Sequence, residues 1–418
     1  MDEIGPGLSA VDTMAKSPHA LPSRRRLLGA LAAGGALALV APHRLRAADA
    51  APIHLGLIVP LTEESGPYGP RIMRAQQAVV AEVNAAGGLL GRQVALIVAD
   101  DVSSREATVR AARKLIDDGK VESIMGLWSS ADATAIAPLC WQAKVMMLTL
   151  AAADSITQLP HQGYVARTQP STSLQGLQFG RFALGEGVRH LFILMPQAAF
   201  AEATVKAIKA ECEPKGLKVS SLVYDVKKAS FRGEIDEAVR ASADMLMLGG
   251  YMADTVILAQ DAYRAAYKGK IAAFAFAVGP RFIERAGPVV ADGVYAIEPV
   301  PATMSSAYAR LQKLVSTMDL DTYTCQGYDQ INLAILAMAR GKDPTGTGIR
   351  DNLRKIGDPA GVAVDNAPAG LAALAAGKVI DYDGASGSCE FAANGDLVAA
   401  NFRVSVVRGG AIETYKML

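Results

Sequence analysis

Short apolar runs alternate with amphipathic stretches along this chain of 418 residues, and the alternation starts twice. Nearly continuous apolar runs are typical of strands buried on both faces, and helices between them are typical of a parallel sheet. The alternation therefore predicts an α/β fold made of two doubly wound lobes with parallel sheets. The predicted strands are "IHLGLIV", "RQVALIVAD", "VESIMGL" and "VMMLTL" in the first series, and "HLFILMP", "LKVSSLVYDV", "ADMLMLGG" and "KIAAFAF" in the second.

The stretch "NAAGGLLGRQVALIVADD" (84–101) combines two glycines with a pair of carboxylates. A phosphate-binding loop needs glycines after a strand and before a helix, whereas Gly87 and Gly88 follow a predicted helix and precede a strand. They are therefore interpreted as the stop of that helix. Asp100 and Asp101 could serve catalysis, but the favoured interpretation is that they are turn and cap residues before a helix capped by Ser103 or Ser104.

The chain after residue 300 follows a different pattern, with three predicted helices and then two strand-like runs. A chain that visits both lobes and returns must cross between them several times. Ligands of such folds bind outside the carboxyl ends of the strands, so two facing lobes predict one cleft. The helices are "SSAYARLQKLVSTM", "CQGYDQINLAILAMARG" and "PAGLAALAAG", and the strand-like runs are "CEFAAN" and "NFRVSVV".

The N-terminal segment, residues 1–50, is predicted to be an export signal and not part of the fold. Arg24 and Arg25 precede an apolar run and resemble the twin-arginine signal, and "AADAAP" offers a cleavage site near Ala50. The alternative is an uncleaved anchor helix. The apolar run, 27–40, has 14 residues, fewer than the roughly 20 that a membrane-spanning helix needs.

Charge and side-chain chemistry exclude several classes of function. The formal net charge of +1 and the aromatic content of 6% give no footprint for nucleic acid. Outside residues 1–50 the only histidines are His54, His161 and His190, and their spacing matches no metal or catalytic motif. No nucleophile elbow or Walker loop is present. We therefore expect no catalytic residue, metal or cofactor.

The four cysteines are far apart in the sequence and none belongs to a CxxC motif. Cys140 and Cys212 each share a helical face with apolar residues, which predicts buried thiols. A disulfide between Cys325 and Cys389 is the one pairing left open, since an exported protein reaches an oxidising compartment.

Five loops at the predicted strand ends carry hydroxyls and aromatic rings. A serine at a helix start, beside free backbone N–H groups, can receive a carboxylate, and aromatic rings supply contact area. Any one such loop can equally be an ordinary cap or a core aromatic. The loops are "PYG", "WSSAD", "LAAAD", "AAF" and "GGYMAD".

Several of these stretches resemble the type I periplasmic solute-binding proteins, in the branch of the leucine/isoleucine/valine receptors of ABC transporters. The resemblance covers about 52–410, and it rests on "GLIVPLT…YG", "NAAGGLLGRQVALIVADD", "AARKLIDDGKVESIMG", "SSADATAIAP", "GGY" and "DYDGASG". It implies two lobes that close on a ligand without chemistry, joined by three crossovers near 168–173, 298–303 and 390–400. The implied lobes are 51–170 plus 301–389, and 171–300 plus 390–418.

The same resemblance implies a ligand pocket, matched here position by position. Ser130 matches the serine that holds the ligand carboxylate, with Trp128 and Ser129 beside it. Tyr68 and Tyr251 match the aromatic residues of the first and second lobes, and Ala151 matches a position that contributes through its backbone.

Three positions depart from the family pattern. Ala153 stands in place of a threonine, and Phe200 stands in place of a tyrosine. The acid that neutralises a ligand amino group should lie in "AFAFAVG", which contains no acid and offers Phe276 instead. An ammonium enclosed without a counter-charge is costly, so the amino end of the pocket is interpreted as lost, unless Asp154 or Asp132 supplies the charge.

The resemblance implies a periplasmic protein that binds a small carboxylate-, amide- or amino-acid-like solute and delivers it to an ABC permease in the inner membrane. We expect a monomer. The alternative is a sensory or regulatory ligand-binding protein of the same fold, although the export signal favours transport.

Overall fold

A computed structural model of the chain describes residues 51–61, 68–102, 104–198 and 200–418. The predicted export signal, 1–50, and the alternative helix cap Ser103 lie outside those residues. Within the described ranges, no helix combines the length and the hydropathy needed to cross a membrane.

The strands of the described chain form a five-stranded sheet, a seven-stranded sheet and a two-stranded sheet. We call the parts built on the first and second of these sheets the first and second lobes. In chain order the strands are β1 (Ile53–Val59), β2 (Val94–Asp100), β3 (Ser123–Gly126), β4 (Met146–Thr149), β5 (Val165–Arg167), β6 (His190–Pro196), β7 (Lys218–Tyr224), β8 (Met245–Leu248), β9 (Lys270–Phe274), β10 (Val294–Pro299), β11 (Val362–Val364), β12 (Ile380–Tyr382), β13 (Phe402–Arg408) and β14 (Ala411–Met417).

Helices connect most of these strands and cover the sheets. They are α1 (Tyr68–Ala85), α2 (Arg105–Asp117), α3 (Ser130–Gln142), α4 (Ser155–Gln158), α5 (Thr172–Gly185), α6 (Ala201–Cys212), α7 (Arg232–Arg240), α8 (Met252–Arg264), α9 (Pro280–Ala286), α10 (Pro288–Ala291), α11 (Ser306–Val315), α12 (Thr322–Gly341), α13 (Gly346–Asn352) and α14 (Ala367–Ala375).

The two large sheets confirm the predicted α/β architecture, with one difference in strand direction. The first sheet has the order β2-β1-β3-β4-β5 and is parallel throughout. The second has the order β14-β13-β10-β9-β8-β6-β7, and β13 pairs antiparallel with both β10 and β14. The chain leaves this sheet after β10 and re-enters beside it, Pro299 pairing with Phe402, so β13 must run back along β10.

Two predicted strands differ in the structure. The run "KIAAFAF" ends its strand at Phe274, and Ala275–Ala277 form a turn of 3-10 helix. The run "CEFAAN" is not a strand, because Phe391 and Leu397 form only an isolated bridge across a tight turn at Gly395. Gly395 has φ of 92°, and a Cβ there would approach the Val165 carbonyl oxygen to 2.2 Å, so the turn requires glycine.

The stretch 84–101 is a corner between a helix and a strand, as predicted. The Asn84 side chain bonds both the N–H and the C=O of Val94 at 2.8 Å, which ties the end of α1 to the start of β2. Asp100 Oδ1 accepts the backbone N–H groups of Leu61 and Val102 at 3.1 and 2.9 Å. Ser104 caps α2. The turn and cap interpretation of this segment is therefore confirmed at Asp100.

The first lobe is organised around α12, a helix buried along most of its length. It packs against α1 so closely that a Cβ on Gly327 would lie 2.6 Å from Ile72 Cγ2. The Gln76 amide donates to the Gly327 carbonyl at 3.0 Å, which satisfies a polar group inside this contact.

All four cysteines are buried free thiols. Cys140 and Cys212 pack in the apolar cores of the first and second lobes, which confirms their prediction. The disulfide left open between Cys325 and Cys389 is not formed.

Candidate functional site

A cavity of about 440 Å³ lies where loops from the carboxyl ends of both large sheets meet. Parallel strands bring their carboxyl ends to one edge of a sheet, and this edge is where such folds bind ligands. The lining residues of the first lobe and the predicted crossovers are Tyr68, Trp128, Ser129, Ser130, Ala131, Leu150, Ala152, Ala153, Gln169, Thr172, Glu298, Pro299, Thr322 and Tyr323, and those of the second lobe are Gln175, Ala198, Phe200, Tyr251, Phe274, Ala275, Phe276 and Ile297.

The structure brings together most of the residues that the sequence analysis selected for the pocket. Those that line the cavity are Tyr68, Trp128, Ser129, Ser130, Ala153, Phe200, Tyr251 and Phe276.

Ala151 does not line the cavity, contrary to the position that we assigned to it. It is fully buried, its N–H donates to Thr149 Oγ1 at 3.1 Å, and its C=O accepts from Arg167 at 3.3 Å. Its neighbour Ala152 lines the cavity instead. A one-residue shift in a loop moves the free backbone group to the other face, and single-sequence matching does not resolve such a shift.

Three aromatic side chains from separate segments form the wall of the first lobe. The ring of Tyr323, at the start of α12, packs edge-on against Tyr68 and Trp128, with centroid distances of 5.0 and 6.1 Å. The pKa of Tyr323 is raised to about 12, mainly by burial. A hydrogen bond from Trp128 lowers this pKa, and the charges of Asp321 and Glu298 raise it. Tyr323 therefore stays a neutral hydroxyl in this wall at neutral pH.

The position of Trp128 depends on a left-handed turn at the end of β3. Gly126 and Leu127 have φ of 88° and 60°. A Cβ on Gly126 would lie 2.2 Å from the Ile58 carbonyl oxygen. The N–H of Gly126 donates to Gln330 Oε1 of α12 at 2.9 Å. The buried amide and the neighbouring strand therefore hold this strained backbone and direct the following residues into the cleft.

The N-terminus of α3 presents hydrogen-bond donors to the cavity. Ser129 caps the helix by accepting the N–H of Asp132 at 3.3 Å. The N–H groups of Ser130 and Ala131 have no hydrogen-bond partner within the described part of the chain. Ser130 Oγ accepts the Ala153 N–H at 3.2 Å, so its own hydrogen remains available to a ligand. These donors and the helix dipole favour an anionic oxygen.

The wall of the second lobe is an aromatic cluster. Phe274 and Phe276 stack at 5.1 Å with an interplanar angle of 11°. Phe200 packs edge-on against Tyr251 and Phe274, and Tyr251 contacts Phe276. Burial raises the pKa of Tyr251, and the nearby Asp254 raises it further, so this wall is apolar and neutral.

The two acids considered as counter-charges do not line the cavity. Asp154 accepts both the N–H and the hydroxyl of Ser173 at the start of α5, so its oxygens are engaged within the fold. Asp132 lies in the first turn of α3. The acid that does line the cavity is Glu298, which the sequence analysis did not select.

Other lining residues that we did not predict lie at the crossovers and at the start of α12. The predicted crossovers contain Gln169, Thr172 and Glu298. Their place at a crossing between the lobes was the only sequence feature that could have indicated a position in the cleft. Tyr323 is the second residue of α12, after the Asp321 cap and Thr322, but nothing in the local sequence indicates that this end of the helix faces the cleft.

A buried arginine holds the loop that carries Ala152 and Ala153. Arg167, at the end of β5, donates to the carbonyl oxygens of Ala151 and Ala153 and to Thr157 Oγ1. Its Nε lies 2.6 Å from Asp396 Oδ1, in the segment that is predicted to be the third crossover. Burial lowers the pKa of Arg167, whereas the charges of Asp396 and Asp154 raise it. One ionic group thus connects the pocket loop to a crossover.

The three histidines outside residues 1–50 lie apart and bond to the backbone. His54, His161 and His190 have ring nitrogens within hydrogen-bond distance of the carbonyl oxygens of Gly119, Thr157 and Ala241. In the part of the chain that the structure describes, no three His, Cys, Asp or Glu residues are grouped so as to hold a metal ion.

The family model for periplasmic binding proteins matches residues 52–394. The chain therefore belongs to the periplasmic binding protein family, and its two-lobed α/β fold is that of the type I members. The proteins of this family and fold are solute-binding proteins.

Similarity to individual proteins points to the leucine/isoleucine/valine-binding branch. The chain is 26% identical over 226 residues to the Leu/Ile/Val-binding protein BraC3 of Rhizobium johnstonii, covering 53% of this chain and 60% of that relative. The chain thus spans less than two thirds of the length of the curated relatives it matches.

Two solved structures share the fold over nearly their whole length. The leucine binding protein LivK from Thermotoga maritima superposes with a TM-score of 0.70 at 20% identity, covering 88% of this chain and 98% of that one. An ABC transporter solute binding protein from R. palustris, in complex with benzoate, gives 0.64 at 18% identity, covering 88% and 96%.

Proposed function

We propose that this chain is the exported substrate-binding protein of an ABC uptake transporter. We propose further that it binds a small carboxylate and does not require the ligand to carry a free amino group. The observation that carries the ligand class is the composition of the cleft. Donors at the start of α3 face a cavity whose two walls are aromatic, and segment 274–279 carries no acid.

The carboxylate end of the ligand would lie at Ser130. The Ser130 hydroxyl and the unpartnered N–H groups of Ser130 and Ala131 can each donate to an anionic oxygen, and charged acceptors make the stronger hydrogen bonds. Ala152 lines the same cavity, and its N–H has no partner among the described residues. We assign to Ala152 the backbone role that was expected of Ala151.

The body of the ligand would lie between the two aromatic walls. Tyr68, Trp128 and Tyr323 on one side and Phe200, Tyr251 and Phe276 on the other favour an aromatic or branched apolar group. The R. palustris protein of the same fold was solved with benzoate, an aromatic carboxylate that has no amino group. That complex supports the proposal for this chain.

Calorimetry with pairs of ligands that differ only in the amino group tests the ligand class. We expect phenylpropionate to bind at least as tightly as phenylalanine, and 4-methylpentanoate at least as tightly as leucine, because an enclosed ammonium would lose its hydration without a free counter-charge. Tight leucine or valine binding that disappears when the amino group is removed would contradict the proposal.

The transport role requires export and a permease. We expect replacement of Arg24 and Arg25 by lysine to retain the precursor in the cytoplasm, since the twin-arginine pair resembles the feature that directs that export route. Normal periplasmic yield of this double variant would refute the route, and N-terminal sequencing would test cleavage near Ala50. Loss of ligand uptake on deletion of the gene distinguishes transport from a purely sensory role.

A further inference from the structure

Glu298 is the one charged side chain among the described residues that line the cleft. It lies near the end of β10, at the start of the predicted second crossover. The other lining residues are apolar, aromatic or uncharged polar. A carboxylate in such a cavity is a strong hydrogen-bond acceptor that any enclosed ligand must accommodate.

Arg403, the ion-pair partner of Glu298, donates to only one of the two carboxylate oxygens. Arg403 is directly opposite on β13, and its Nε and Nη2 both donate to Oε1. No described residue donates to Oε2. Glu298 lines the cavity with its side chain 30% exposed, so its carboxylate is accessible, and Arg403, whose side chain is 40% exposed, compensates the charge.

The pairing with Arg403 decides what kind of donor suits Oε2. An ammonium would gain little from a carboxylate that a guanidinium already neutralises, and it would have to give up its hydration on entering the cleft. A hydroxyl or an amide N–H can donate to Oε2 without bringing a charge. Burial raises the pKa of both Tyr68 and Tyr323, and the charges of Asp321 and Glu298 raise it further, so these hydroxyls stay protonated and the surrounding wall is neutral as well.

We propose that Glu298 selects ligands that carry a neutral hydrogen-bond donor, a hydroxyl or amide N–H, in addition to the carboxylate held at Ser130. This role of Glu298 rests on the proposed function, and the ligands that it favours are hydroxylated or amide-bearing small carboxylates.

Titration calorimetry with benzoate, 3-hydroxybenzoate and 4-hydroxybenzoate tests the inference. We expect one of the two hydroxybenzoates to bind the unmodified protein about tenfold more tightly than benzoate. In Glu298→Gln this gain should disappear, so that neither hydroxybenzoate binds this variant more tightly than benzoate does. Arg403 will take the amide oxygen, so the amide NH₂ replaces Oε2 and meets the ligand donor with another donor.

Two variants serve as controls. Glu413→Gln breaks an Arg–Glu pair between β13 and β14 outside the cleft, and it should leave all three affinities unchanged. Arg403→Gln keeps the Glu298 carboxylate as an acceptor and removes the positive charge that compensates it. The gain from the ligand hydroxyl should therefore persist, and phenylalanine binding should strengthen. Thermal unfolding of each variant establishes that it is folded. If Glu298→Gln does not fold, Glu298→Ala takes its place.

The outcomes separate the two proposals. Benzoate binding without any hydroxyl gain, or a gain that survives in Glu298→Gln, overturns the role of Glu298 and leaves the proposed function standing. Failure of every carboxylate to bind the unmodified protein overturns the proposed function and this inference with it.

Discussion

The Ser130 hydroxyl combines a structural contact with the position proposed for the ligand carboxylate. Its oxygen accepts the Ala153 N–H, which holds the loop after β4 against the start of α3. Its hydrogen and the adjacent free N–H groups point to a site for an anionic oxygen. The bond from Ala153 holds Ser130 Oγ in place, and the hydroxyl hydrogen can rotate toward an acceptor in the cavity.

Replacement of Ser130 by alanine is expected to weaken carboxylate binding about ten- to a hundredfold, equivalent to about 1.5–3 kcal/mol for a lost hydrogen bond to a charged oxygen. Calorimetry with the best-binding carboxylate measures the effect. Thr134→Val is the matched control, because that hydroxyl bonds the Ser130 carbonyl at 2.7 Å but does not line the cavity. Equal affinities of Ser130→Ala and the control would contradict the role of Ser130.

At the scale of elements, α12 connects the core to the segment after β12. Asp329 on α12 accepts four hydrogen bonds, from the Tyr382 hydroxyl, the Ala385 N–H, and the N–H and hydroxyl of Ser386. These bonds favour the charged carboxylate, but burial outweighs them and raises the pKa of Asp329 to about 6 from 3.8. The folded state therefore holds the Asp329 proton more tightly than the unfolded state.

This shift predicts a defined dependence of stability on pH. Between about pH 6 and pH 4 the folded chain takes up a proton on Asp329 and the unfolded chain does not, so acidification stabilises the fold through this residue by up to about 3 kcal/mol. The free energy of unfolding relative to Asp329→Asn should rise across that window as the pH falls, and it should be constant above pH 7. Denaturant unfolding at several pH values measures the difference, and a constant difference would refute the shift.

At the scale of the molecule, the cleft leaves large aromatic surfaces exposed. Trp128, Tyr251 and Phe276 are 42%, 51% and 49% exposed, although each lines the cavity. Exposed apolar surface in a concave site favours closure around a ligand that covers it. The crossovers between the lobes are few, and a hinge of this kind allows rigid lobes to approach each other.

Ligand binding is therefore expected to close the lobes by hinge bending. Small-angle scattering should give a smaller radius of gyration with saturating ligand. The fluorescence of Trp128 should change as the ring is buried, and Trp141→Phe leaves Trp128 as the single tryptophan of the chain. An unchanged radius together with calorimetrically verified binding would contradict closure.

Local patterns in the sequence were sufficient for the architecture and for much of the site. Apolar runs and helical periodicity depend on neighbouring residues, so β1 and β6 are found at the predicted residues and the strand-end loops carry Trp128, Ser130 and Tyr251 into one cavity. The residue bounds predicted for the lobes and the crossovers stay predictions, as do the ligand-binding roles.

The tertiary structure alone decided the electrostatics of the cleft. Glu298 and Arg403 are 105 residues apart, and they meet because the crossover returns β13 antiparallel beside β10. Asp154 is occupied by Ser173, and Tyr323 reaches the cleft through the packing of α12. Contacts between distant segments determine which polar groups remain free, and a single sequence read locally contains no record of those contacts.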